Sequence, residues 1–118
     1  MSAWGTAPWE NDSAADWFAG IFDATGFANR VELALNQDVN YDNHEEIRAA
    51  AYLLVALGRV YIWPIYELER HLELAIEKLE AIKKLSLFEG DKKFVVEIGK
   101  EIDVLQARLE KIKRNKKL

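Results

Sequence analysis

Residues 65–82, IYELERHLELAIEKLEAI, and residues 95–112, VVEIGKEIDVLQARLEKI, decide the fold of this chain. In the first, Ile65, Leu68, Leu72, Ala75, Leu79 and Ile82 are spaced 3, 4, 3, 4 and 3 apart. In the second, Val95, Ile98, Ile102, Leu105, Leu109 and Ile112 repeat the pattern. Each is a heptad seam of the coiled-coil kind, and neither shows the alternation of a strand. Each predicts a helix of about 22 residues, which is about 33 Å long. Glu89, Gly90 and Asp91 between them predict a stop followed by a start. A tight turn there makes the two helices antiparallel, with their seams facing. The first of the pair also carries a second apolar stripe, Leu74, Ala81, Leu85 and Phe88. One partner helix cannot cover both stripes. That helix is expected to be central in a bundle or buried in a homodimer formed through the hairpin.

Upstream, residues 60–66 read VYIWPIY. Pro64 argues against a paired strand and suits the first position of a helix, so the segment predicts a short apolar connector. Before it, Asn43 stands three residues ahead of Glu46, the spacing of a capping box. Ile47, Ala50, Ala51, Leu54 and Leu57 follow on one face, and Gly58 suits a left-handed helix end. Residues 37–43 are rich in Asp and Asn and predict a turn. A shorter helix is expected over 27–36, with Phe27, Val31, Ala34 and Leu35 on one side, and Gly26 punctuates ahead of it. A first helix is expected from 11–13 to about 23. Its apolar face is Ala14, Trp17, Phe18, Ile21 and Phe22, its cap is Asn11 or Asp12, and Ser13 with Asp16 makes a weaker box. The expected fold is therefore all-α, with about five helices in one domain over 1–118. An extended Trp-rich arm occupies 1–12, three shorter helices 13–58 and the helical hairpin 64–114.

The 118 residues suffice for one core without covalent staples, and the absence of Cys excludes disulfides, thiolate metal sites and cysteine catalysis. The longest uncharged apolar run, residues 49–58, is too short to span a membrane. The first basic residue is Arg30, so the start lacks the charge of a secretory signal. A cytoplasmic protein that does not bind membranes is expected. Residues 1–60 hold three basic and nine acidic side chains, while 61–118 hold 13 and 11. Five of the last eight residues are Lys or Arg, as suits the end of a helix dipole. No aromatic residue interleaves with them, so nucleic acid is not an expected partner.

Residues 2–17, SAWGTAPWENDSAADW, hold three of the four tryptophans: Trp4, Trp9 and Trp17. Burying indole is favourable, so this arm is expected to fold back onto the bundle, with Glu10, Asn11, Asp12 and Asp16 as acceptors for the indole N–H groups. The stretch resembles the opening of the bacterial domain of unknown function 4259 family, in which Gly-Ala-Trp-Gly-Thr-Gly-Pro-Phe is followed by an acid, Asn-Asp and an Ala-rich run to Asp-Trp. Here Ala3, Trp4, Gly5 and Thr6, then Pro8, then Glu10, Asn11 and Asp12, then Ala14 to Trp17 carry the resemblance. Ser2 and Ala7 stand where the family has Gly, and Trp9 where it has Phe. The resemblance implies a small helical domain, and no catalytic residue comes with it.

Chemistry-bearing patterns are sparse. His44 and His71 are the only histidines, and neither lies in a metal-binding motif, so no metal and no cofactor are expected. Glu67 and His71, one helical turn apart, are expected to form an exposed pair. There is no glycine-rich phosphate loop, and no serine has a nucleophile context; Ser13 and Ser86 suit a cap and a turn. The expected function is a non-enzymatic, adaptor- or immunity-type module that binds another protein through its acidic front half. The alternative is a small-ligand-binding protein or hydrolase-like enzyme using Trp4, Gly5, Trp9, Asn11, Asp12, Asp16 and Trp17, where carboxylates stand beside aromatic walls.

Overall fold

A computed structural model describes residues 4–85 and 91–116. The described residues form five helices: α1 (Asp12–Thr25), α2 (Phe27–Leu35), α3 (His44–Leu57), α4 (Ile65–Lys83) and α5 (Lys92–Lys116). The turn expected at Glu89 and Gly90, together with Ser86 and Phe88, lies outside them, as do Ser2 and Ala3 of the arm. No described helix is long and apolar enough to cross a membrane.

The two seams pack as their spacing requires. Leu68, Leu72, Ala75, Leu79 and Ile82 on α4 and Ile98, Ile102 and Leu105 on α5 are buried. The end of α5 lies beside the start of α4, where Lys116 Nζ stands 3.1 Å from Glu69 Oε1 and Lys113 Nζ 4.0 Å from Glu73 Oε1. The pair is therefore antiparallel. Helix α4 is central, packed against α2, α3 and α5. Its second stripe, Leu74 and Leu85, is half-buried against the same core. A bidentate ion pair, Arg48 Nε and Nη2 to Glu101 at 3.1 and 2.6 Å, ties α3 to α5.

Several local expectations are corrected by tertiary context. Ile65 opens the α4 seam but is 55% exposed, because the chain enters the helix there at the rim of the bundle. Pro64 precedes the helix instead of occupying its first position, and its carbonyl accepts the first helical N–H groups. Asn43 makes no side-chain cap on α3; its amide braces the preceding turn through Asn40 N–H and Asp38 O, and Glu46 accepts from Gln37 instead. On α1, Asn11 Oδ1 accepts the Ala14 N–H at 2.8 Å, so Asn11 is the cap. Trp17 and Ile21 are exposed; α1 packs along α2 and inserts only Phe22 fully into the core.

Gly26 has φ 62° and joins α1 to α2 as a left-handed cap. Gly58 does not, having φ −77° and ψ 65°. It is needed because its backbone presses on Leu54: a Cβ there would overlap the Leu54 carbonyl oxygen. That oxygen also accepts from Gly58 N–H at 2.8 Å and from Arg108 Nη1 at 2.6 Å, so a cation from α5 closes the negative end of α3. Gly58→Ala should cost about 1–3 kcal/mol. Gly99, inside α5 with open space around its Cβ position, should instead gain about 0.5–1 kcal/mol on substitution by Ala. Urea midpoints moving in opposite directions for the two variants would confirm both.

Trp63 in the connector is the hub of an aromatic cluster. Its ring centroid lies 5.1 Å from that of Phe22, 5.9 Å from Phe27 and 6.0 Å from His71, all edge-on. The cluster joins α1, α2 and α4 through the geometry that ring quadrupoles favour. To place Trp63 there the chain turns sharply at Tyr61, whose φ of 76° is uncommon for a bulky residue.

Candidate functional site

A cleft of about 1020 Å³ lies between α1, which packs along α2, and the start of α4. Its floor is Phe22 and Trp63, and its walls carry Asp16, Asp23, Glu32 and Glu67. Four carboxylates over an apolar floor make a site for a cation.

At one end His71 is 1% exposed, not the surface residue its sequence position suggested. The α4 turn that aligns it with Glu67 also points it inward, under Trp63. Trp63 Nε1–H donates to His71 Nδ1 at 3.0 Å. An accepting Nδ1 places the proton of the neutral ring on Nε2. That Nε2 is buried without a hydrogen-bond partner and stands 3.7 Å from both Glu32 Oε1 and Glu67 Oε2. The Arg70 guanidinium bonds both carboxylates from the solvent side.

Burial first, and then the Arg70 charge, push the His71 pKa below its ordinary value, against a smaller opposing pull from Glu67. Trp63 acts in the same direction, since an imidazolium would set two N–H groups against each other. In the unfolded chain His71 takes up a proton near pH 6.5, while the folded chain takes it up only at lower pH. Stability should therefore hold above about pH 6.5 and fall as pH drops below it, by at most about 1.4 kcal/mol per pH unit. Urea midpoints across that range, with His71→Gln as the comparison, read the effect. An imidazole resonance titrating above the ordinary value would contradict it.

Glu32, Glu67 and His71 each offer a ligand atom, all within 4.8 Å of one another. The donor set does not suit a metal ion in this arrangement. Coordination through Nε2 would move the ring proton to Nδ1, facing the Trp63 N–H, whereas a ligating histidine normally donates its other N–H to an acceptor.

The residues singled out in the sequence separate into different places. Trp4 donates its backbone N–H to the Glu10 carbonyl at 2.8 Å and its indole N–H to Asp12 Oδ1 at 3.1 Å. Its ring lies 4.5 Å from that of Tyr61, and Trp9 packs half-buried on the core, so the arm lies on the bundle. Gly5 sits against the Glu10 carboxylate. Asn11 is spent on the cap, Asp16 lines the acidic cleft, and Trp17 is 63% exposed. Asp12 thus accepts from the Trp4 indole, while Asp16, one turn further along α1, lines the acidic cleft. Sequence reasoning missed Glu32 and Trp63. Glu32 has no local signal, being far from His71 in the chain. The only sign of Trp63 was an apolar connector too rich in large side chains for a solvent-exposed loop.

The family model described as Domain of unknown function (DUF4259) matches residues 2–86. No curated protein and no solved structure matches the chain.

Proposed function

The chain belongs to the DUF4259 family, whose description carries no activity, and on that premise we propose that it is a non-enzymatic protein-binding module. Its acidic cleft between α1 and α4 receives a basic side chain, arginine above all, from another protein. The observation that carries this reading is Arg70. Its half-exposed guanidinium spans Glu32 and Glu67, so the pair already holds the group that a partner would present. Planar guanidinium pairs well with carboxylates, and the aromatic floor suits the apolar stem of an arginine. The acidic front half of the chain would speed the encounter with a basic partner.

A hexa-arginine peptide is a suitable probe, read by calorimetry at low and moderate salt. Glu32→Gln with Glu67→Gln should weaken its binding by about tenfold or more. Arg70→Ala should strengthen it, because the internal competitor is gone. Binding that is unchanged in the double Gln variant, or no binding at low salt, would overturn the reading.

A further inference from the structure

A second cleft, of about 480 Å³, lies where the N-terminal arm, the corner at residues 58–61 and the last turns of α5 meet. Three cations line it: Arg59, Arg108 and Lys111. Among the described residues none of the three forms an ion pair with a carboxylate, whereas Arg48 and Arg70 both do. The acid nearest at hand, Glu10, turns its carboxylate to the Ala7 N–H and to Gly5 within the arm. Arg108 is accounted for by the Leu54 carbonyl. Arg59 and Lys111 have no such explanation. The Arg59 guanidinium carbon is held 4.5 Å over the centre of the Trp9 ring, a cation–π contact that uses the ring face and none of the guanidinium's hydrogen-bond donors. Lys111 and Asn115 lie one turn apart on α5 and add an ammonium and an amide to the same cleft. Trp4 and Tyr61 keep 44% and 56% of their surfaces exposed. Like charges brought together without a counter-ion repel: Arg59 adds to burial in lowering the Arg108 pKa. A bound anion would relieve that repulsion.

We propose that this cleft binds an organic oxyanion carried on a planar ring, with Arg59 and Lys111 taking the charged group and Trp4 and Tyr61 taking the ring. Guanidinium and ammonium together suit either a phosphate or a carboxylate, and a cleft of this volume is ordinary for a small molecule. The site is independent of the acidic cleft, although Val60 and Tyr61 border both.

The test follows the four indole N–H resonances of the full chain by two-dimensional NMR while AMP, benzoate or adenosine is added. AMP or benzoate should shift Trp4 and Trp9 saturably and leave Trp17 and Trp63 in place; phenyl phosphate, which shares its ring with benzoate, is added beside it, and the tighter of that pair identifies phosphate or carboxylate as the preferred head. Adenosine, which keeps the ring and lacks the anion, should not saturate. Arg59→Ala with Lys111→Ala should weaken binding by about tenfold or more. Lys111→Glu, a single change at an exposed position, guards against a folding defect and should do the same. The proposal falls if none of the anions shifts Trp4 and Trp9, if the shifts survive in the variants, or if adenosine binds as well as AMP.

Discussion

Leu72→Asp should leave the chain without a cooperative thermal transition. Leu72 is fully buried midway along α4, the helix that contacts α2, α3 and α5. Truncating a buried leucine to alanine costs about 2–5 kcal/mol. Aspartate adds the cost of stripping water from a charge or of protonating it inside an apolar core. A domain of this size has only about 6–18 kcal/mol of stability to lose. Far-UV circular dichroism should show lost helicity and a flat melt. Leu72→Ala should still melt cooperatively, lower by roughly 4 °C for each kcal/mol lost. A Leu72→Asp melt within a few degrees of the native one would show that the α4 seam is not the core.

Trp63→Ala should be nearly as damaging. Emptying the site of a buried indole costs about 3–5 kcal/mol, and the aromatic hub joining Phe22, Phe27 and His71 goes with it. His71 Nδ1 would also lose its donor, which adds about 1–3 kcal/mol where water does not enter to replace it. Trp63→Phe separates the two contributions, because it keeps a ring and removes the N–H. It should cost less than Trp63→Ala and should raise the His71 pKa, since Nδ1 becomes free to take a proton. Chemical denaturation of both variants, with an imidazole titration of Trp63→Phe, reads both effects. An unchanged His71 titration in Trp63→Phe would show that the hydrogen bond does not help to hold the His71 pKa down.

The hairpin was legible because its information is local and repeated. A heptad seam exposes its period to anyone counting along the chain, and α4 and α5 bury the residues so counted, apart from Ile65, which is exposed, and Val95, Leu109 and Ile112, which are half-buried. The cap at Asn11 and the break at Gly26 were legible for the same reason, since each is settled by backbone groups within a few residues. Where local signals competed with tertiary ones, the local ones lost. Asn43 has the spacing of a cap, yet the turn before α3 claims its side chain. Gly58 has the position of a left-handed stop, yet what it supplies is room beside the Leu54 carbonyl. Trp17 has the spacing of a core residue, yet α1 packs along α2 through another face and leaves it exposed.

The sequence by itself determined the helices, their order, the antiparallel return of the last two and the acidic bias of the front half, because each depends on residues close together in the chain or on simple sums. Only the tertiary structure decided the chemistry of the surface. Glu32 meets Glu67 and His71 across two helices, and Arg70 of the same chain sits between the carboxylates. Aromatic residues that do not interleave with the terminal lysines in sequence reach them in space, as Trp4, Trp9 and Tyr61 come to stand beside Arg59 and Lys111. Periodicity records which face of a helix is buried. It holds no record of which distant helix lies against that face, and a cleft exists only between elements that the chain keeps apart.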